Sequence, residues 1–258
     1  MSALTAGLAV ALGRSDWPVV GAAALAGQLS VGWCNDARDG ARDSQAGRED
    51  KPVAAGLVAP ALLWGLALVA LAAAFPLSWW AGGPDALLVH LVAIGAAWAY
   101  NLGLKATVLS WVPYAVAFAL LPAFVWLGLP GSPWPPWWVM LTAALLGTAA
   151  HLTNALPDRH ADTATGCEGI ATRMPPRTTR LLTAGLVLGA VVVAAFGAPG
   201  PITPARWLSL AAALVLTGQA VRPPRRVGER RPMFAVGGVA AIGVLLVATA
   251  FDIGAAPA

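Results

Sequence analysis

Two stretches of the chain carry one pattern of oxygen ligands. Asn35, Asp39, Asp43 and Gly47 follow one another at intervals of four, and so do Asn154, Asp158, Asp162 and Gly166, offset by 119 residues. Steps of four put Asn, Asp and Asp on one helical face, so each stretch presents a column of oxygens at the end of a helix. Hard cations such as Mg²⁺ take such donors, usually one or two carboxylates with substrate phosphates completing the shell. Two facing columns predict one or two ions with a diphosphate between them, held by Asn35, Asp36, Asp39, Asp43, Asn154, Asp158 and Asp162. Arg42, Arg48, Lys51, Lys105 and Arg173 fall on the same side, in reach of the remaining phosphate oxygens. With Glu49, Asp50 and Glu168 just beyond them, these two stretches account for eight of the 12 acidic residues. Solvated Arg/Asp neutralisation explains one such loop, but two in the same register at membrane helix ends read as functional.

The elements that position these columns are apolar helices. Of 258 residues, 58% are hydrophobic and 11% charged, far from a soluble enzyme's balance. Apolar runs cover 3–13, 19–34, 53–75, 86–104, 108–129, 137–156, 181–198, 207–221 and 233–251, which predicts an all-α membrane bundle of about nine helices around a central cavity. The first run is too short to cross a bilayer core of roughly 30 Å. It lacks the basic start of a signal peptide. A polar loop is expected from 35 to 52, and Pro113 and Pro122 should kink the fifth helix. Trp79, Trp80, Trp134, Trp137, Trp138 and Trp207 sit at run edges, as in an interfacial belt. The repeated motif lies four helices apart, so the single domain reads as pseudo-repeats of about 1–105 and 106–221 with an extra helix at 233–251.

Fourteen of the 16 Lys and Arg fall in the loops after the second, fourth, sixth and eighth runs, leaving Arg14 and Arg206 opposite. By the positive-inside rule both motifs and the N-terminus are cytoplasmic. The net charge of +4 then reflects topology, and no nucleic acid is expected as a partner. The run Arg222 to Arg231 reads as an anchor or an anionic-lipid contact. Cys34 and Cys167 are too few for a disulfide framework or a zinc site and read as inert thiols.

These residues resemble the UbiA superfamily of intramembrane prenyltransferases. Asn35, Asp36, Asp39 and Asp43 match its NDxxDxxxD motif, Asp158 and Asp162 its DxxxD motif, Arg48, Lys51, Pro52 and Gly56 its RxxKPxxxG segment, and Tyr100 with Lys105 its Tyr and Lys after the fourth helix. The resemblance implies Mg²⁺-dependent transfer of an isoprenyl group from a polyprenyl diphosphate to an acceptor, usually an aromatic acid or quinone precursor. It implies Asp39, Asp158 and Lys105 as catalytic residues, with Arg42, Arg48, Lys51, Tyr100, Lys105 and Arg173 around the diphosphate. A terpene cyclase of the same type would share every aspartate. Trp98, Tyr100, Trp111, Tyr114 and Phe118 are the expected cavity wall, able to stack on an aromatic ring or stabilise a cation.

Two rivals fit less well. CDP-alcohol phosphotransferases carry DxxDGxxAR followed by GxxxDxxxD; Ala41-Arg42 comes two residues early, and the residues after Gly47 lack the second half. A cation transporter would place its carboxylates near the bilayer midplane, not at helix ends. His90, His151 and His160, with Trp33 and Cys34 beside the first motif, read as packing residues, although either of the last two histidines could serve as an acceptor base.

Overall fold

The computed structural model describes residues 1–45, 47–48, 51–200, 202–221, 236–241 and 243. Glu49, Asp50, the basic run 222–231, the His160 side chain and most of the ninth apolar run lie outside the described residues. Among those described the chain is all helix and turn, with no strand. The helices are α1 Ser2–Ala11, α2 Trp17–Gln45, α3 Pro60–Leu102, α4 Val112–Trp126, α5 Trp137–Ala164, α6 Ile170–Arg173, α7 Pro176–Gly197 and α8 Pro204–Val221, with a 3-10 turn at Leu104–Ala106. Three of them, α3, α5 as far as Arg159, and α7, are long and apolar enough to cross a membrane.

The expected polar loop after residue 34 is not a loop. Helix α2 continues to Gln45, so the whole first motif is helical. Its polar last turns hold because Asp39 and Arg42 pair at i,i+3, Ser44 bonds back to the Gly40 carbonyl at 2.9 Å, and Arg42 sits where the helix dipole favours a cation. The third apolar run also begins later than expected. Residues 51–58 form tight turns, Leu57 N–H bonding Pro52 O at 2.9 Å, and α3 starts at Pro60, where the missing proline N–H costs nothing. The same reason removes one expected kink: α4 begins at Val112, so Pro113 lies in its first turn and only Pro122 is internal.

Helix α3 is two arms, 60–81 and 84–102, folded back on each other at Gly82 and Gly83. Gly83 has φ +71°, a conformation that favours glycine, while a Cβ on Gly82 would sit 2.8 Å from the Gly128 Cα. Ser78 on one arm and His90 on the other are 2.7 Å apart, which fixes the hairpin.

Beside this turn lies Arg14. Both basic residues assigned to the far side of the molecule are buried and serve the backbone rather than solvent. Arg14 bonds the Ala81 carbonyl, Val125 O at 2.6 Å and Asp16 at 2.9 Å, tying α1, α3 and α4 together. Gly128 leaves the room, since a Cβ there would lie 2.0 Å from the Arg14 Nη1. Arg206 bonds Ala198 O at 3.0 Å and Pro199 O at 2.5 Å, gathering carbonyls beyond the end of α7.

Replacing Arg14 by methionine is expected to cost about 2 kcal/mol, because two buried carbonyls lose their donor; thermal unfolding in detergent measures it. The Arg14 hydrogen bonds hold the Asp16 carboxyl below its ordinary range. That ion pair therefore contributes above the unfolded carboxylate pKa and is lost as pH falls through the lowered folded value.

Small residues let the helices approach. Ala9, Ala23, Ala81, Ala86 and Ala123 share one core with Phe124 across α1, α2, α3 and α4, and Ala149, Val187, Ala190 and Ala213 build a second between α5, α7 and α8. The outer faces carry exposed Leu62, Val69, Leu88, Leu208 and Val215, the pattern of helices that face lipid. Trp79, Trp80, Trp134, Trp137 and Trp207 are exposed as an interfacial belt requires, but Trp138 is 2% exposed. It packs on Gly197, where a Cβ would come within 2.4 Å of its own.

Candidate functional site

The ends of α2, α3 and α5 meet the 3-10 turn at one face. Asp39 and Asp43 are buried there, 6% and 7% exposed. Asp39 accepts from Lys105 on the 3-10 turn and from Arg42 at 3.1 Å. Arg42 then reaches across to Asp162 of α5 at 3.5 Å. One guanidinium thus joins the first motif to the second. Arg48 pairs with Asp158 at 2.8 Å, a second crossing between the motifs, and Lys51 pairs with Asp36 at 2.8 Å.

Local backbone explains how these cations arrive. The turns of 51–58 pack on α2 through Val53, and a Cβ on Gly40 would meet the Val53 Cγ1 at 2.3 Å; that contact sets Lys51 beside Asp36. The 3-10 turn is held by residue 169, where a Cβ would lie 2.5 Å from Lys105 O, and by Ser110, which accepts from Ile170 N–H at 3.1 Å and contacts His151 Nε2 at 3.0 Å. Ser110 is fully buried and escaped the sequence reading, since an isolated serine inside an apolar run carries no pattern. Arg159, inside the second motif, bonds the Met174 carbonyl and Ala171 O at 3.4 Å, fastening the α6 segment to α5.

Other candidates sit differently. Asn154 donates to the Tyr114 hydroxyl at 3.3 Å. Arg173 is exposed and bonds Glu168 O at 3.1 Å, with no bond to the carboxylate cluster. Asn35 is half-buried on α2. Cys167 donates its N–H to Asp162 O at 2.8 Å, and burial raises its thiol pKa.

Burial is also the main influence on the second-motif carboxylate: Asp162 is pushed up to about 6, with Arg42 acting in the opposite sense and Asp158 reinforcing burial. Burial and Asp39 raise Asp43. Burial works against the charge on Arg42, but Asp39, Cys167, Asp162 and Asp43 outweigh it, and its pKa rises.

Among the described residues no three His, Cys, Asp or Glu side chains converge into a cage for a metal ion. The donor set nevertheless fits Mg²⁺, which is held by a few carboxylates together with substrate phosphates. Hard oxygens from two helices face each other here across basic side chains able to take phosphate. Below the cluster, α2, the second arm of α3 and α4 enclose a cavity of about 130 Å³ whose wall includes Tyr100, Tyr114 and Phe118. Trp98 and Trp111, expected in that wall, lie outside it: Trp98 bonds Ser30 at 3.0 Å and packs on Trp64, and Trp111 is exposed.

The sequence profile of the UbiA prenyltransferase family matches residues 1–239. This chain belongs to the UbiA prenyltransferase family. Solved structures agree in fold. A UbiA homologue from Aeropyrum pernix K1, in its apo form, superposes with a TM-score of 0.73 at 16% identity, covering 98% of this chain and 97% of that one. A UbiA homologue from Archaeoglobus fulgidus bound to GPP and Mg²⁺ gives 0.67 at 16% identity, with 98% and 95% covered. A UbiA homologue from Archaeoglobus fulgidus bound to DMAPP and Mg²⁺ gives 0.68 at 18%, with 98% and 94% covered. No curated protein matches the sequence. UbiA membership together with the apolar helices makes this an integral membrane protein of prenyltransferase type.

Proposed function

We propose that this UbiA protein ionises an allylic prenyl diphosphate with Mg²⁺ at the paired motifs, on the cytoplasmic face, and transfers the prenyl group to an aromatic or quinone-precursor acceptor in the adjoining cavity. The observation that carries the reading is Arg42 bridging Asp39 of one motif to Asp162 of the other. It sets carboxylates and cations of both halves around one centre. The Archaeoglobus fulgidus homologue bound to GPP or DMAPP with Mg²⁺ supports the choice of substrate.

In this reading Asp36, Asp39, Asp43, Asp158 and Asp162 hold Mg²⁺, with Asn35 and Asn154 beside them. Bound there, Mg²⁺ supplies positive charge to the diphosphate oxygens. Lys105, Arg42, Arg48 and Lys51 exchange their carboxylate partners for phosphate oxygens and draw negative charge from the breaking C–O bond. Arg173 flanks the entrance, Tyr100 lines the way into the cavity, and the apolar walls keep water from the allylic carbon. The motif offset of 119 residues supports two four-helix halves within one domain, Asp39 corresponding to Asp158 and Asp43 to Asp162.

The test is purified protein with Mg²⁺ and dimethylallyl, geranyl or farnesyl diphosphate, with and without an aromatic acid, followed by diphosphate assay and mass spectrometry. Prenylated acid formed only with acceptor supports the transferase. Hydrocarbon without acceptor makes it a cyclase, and no diphosphate release under any condition refutes the reading. Gly40→Ala is expected to push Val53 and Lys51 away from Asp36, raising KM for the diphosphate about fivefold, roughly 1 kcal/mol, while kcat stays close to wild type. Steady-state kinetics with varied diphosphate checks this.

A further inference from the structure

Lysine is a flexible chain with a point charge at its end, so the place of its ammonium depends on the backbone it hangs from. Asp39 holds Lys105 in the structure. A diphosphate that draws Lys105 away from Asp39 removes that anchor, and placing the ammonium then falls to the segment 103–110. This segment is a run of tight turns: Ala106 N–H bonds Gly103 O at 3.1 Å, Thr107 N–H bonds Leu104 O at 3.0 Å and Ser110 N–H bonds Thr107 O at 3.1 Å. Thr107 Oγ1 also donates to Leu104 O at 2.9 Å and accepts from Leu109 N–H at 3.2 Å. A shift at Ser110 is therefore carried back to Lys105 rather than absorbed between them.

Ser110 fastens the far end of the segment to two other elements. Its hydroxyl oxygen accepts from Ile170 N–H at 3.1 Å and lies 3.0 Å from His151 Nε2. Ile170 opens α6, where a first-turn N–H has no partner inside its own helix. His151 is buried, and its Nδ1 has no hydrogen-bond partner among the described residues, so Ser110 is what its polar edge binds there. The ring itself is held by Tyr100 and Tyr114, with centroids 5.6 and 5.2 Å away. From the other side Gly169 closes on the same segment: a Cβ there would lie 2.5 Å from Lys105 O and 2.9 Å from Ser110 Oγ. Gly169 follows the second motif, and Arg159 ties α6 back to α5 through the Met174 carbonyl. One hydroxyl thus joins the turn that carries Lys105 to the segment beyond the second motif.

We infer that Ser110, itself set by His151, is a positioning residue that fixes Lys105 for the diphosphate. The inference rests on the proposed transfer for the role of Lys105, but its test does not need turnover. The full chain in lipid nanodiscs with Mg²⁺ is titrated calorimetrically with inorganic diphosphate, as wild type, Ser110→Ala, Lys105→Met and the double variant. Lys105→Met is expected to weaken binding about tenfold, the scale of one hydrogen bond to a charged group. Ser110→Ala should weaken it about fivefold, and the double variant should bind no more weakly than Lys105→Met, since residues that act through one another are not additive. His151→Phe, which keeps a ring and loses the nitrogen, should show the same dependence on Lys105. Gly169→Ala, which presses on Lys105 O from the other side, displaces the turn by a second route should Ser110→Ala fail to fold. Wild-type affinity in Ser110→Ala, or an equal loss with and without Lys105, would overturn the positioning role. A loss confined to chains that keep Lys105, with no diphosphate release from any prenyl diphosphate, would overturn the transfer reading and leave the positioning standing. A wild type that binds no diphosphate would overturn both.

Discussion

Asp39→Asn is expected to lower prenyl diphosphate turnover at least about a thousandfold, the scale lost when charge stabilisation of a leaving group is removed. Asparagine keeps the shape of the side chain and one oxygen, so the helix is undisturbed. What it removes is the negative charge between Lys105 and Arg42. Lys105 then loses its carboxylate partner and Arg42 keeps only its bridge to Asp162, at a site 6% exposed, and a hard ligand for Mg²⁺ is lost. Asp39→Lys places a third cation there and should be wholly inactive. Asp158→Asn, with its carboxylate side chain 45% exposed, should lose comparable activity with less effect on stability. Diphosphate release measures turnover; gel filtration and circular dichroism in detergent should show both asparagine variants folded. Turnover of either within tenfold of wild type would remove it from the ion-binding set.

The second large effect concerns a residue with no chemistry at all. Gly147 lies on α5 where α4 crosses it, and a Cβ at that position would meet Tyr114 O at 2.5 Å and the Phe118 Cβ at 2.6 Å. A backbone oxygen cannot swing aside as a side-chain tip can, so the helices must separate. Gly147→Leu is expected to cost about 3 kcal/mol or more. It also displaces Tyr114 and Phe118, two walls of the cavity. Thermal unfolding in detergent should report the loss, and Gly185→Leu is the control, since a Cβ there meets nothing within 4 Å. Similar unfolding temperatures for the two variants would show that the α4–α5 contact is not tight.

Local pattern was enough for the parts of this protein whose physics is local. Apolar runs broken by Gly and Pro specify helices and their ends, because a chain in lipid must satisfy its backbone internally. Gly82 and Gly83 mark the α3 turn in sequence as plainly as in structure. The spacing of Asn35, Asp39 and Asp43, repeated at Asn154, Asp158 and Asp162, specifies a helical column of oxygens wherever the helix leads. Pattern misled where polar composition was taken for loop: α2 runs on to Gln45 because its Asp and Arg side chains find partners on other elements, which no window of sequence contains.

Tertiary structure alone decided which cation meets which carboxylate. Arg42 could have paired within its own helix only, but it also crosses to Asp162, and Arg48 crosses to Asp158, because the ends of α2 and α5 are brought to one face. The roles of Arg14 and Arg206 were equally invisible. Counted as loop charges, they are buried donors to carbonyls of other segments. His90 shows the reason most directly. Its sequence neighbours are apolar and say only that it is buried; its hydrogen-bond partner is Ser78, twelve residues away across a glycine turn, and the room beside its ring is left by Gly27 on another helix. Hydrogen-bond direction and cavity shape depend on distances between helices, and those distances are set by packing rather than by the order of residues along any one of them.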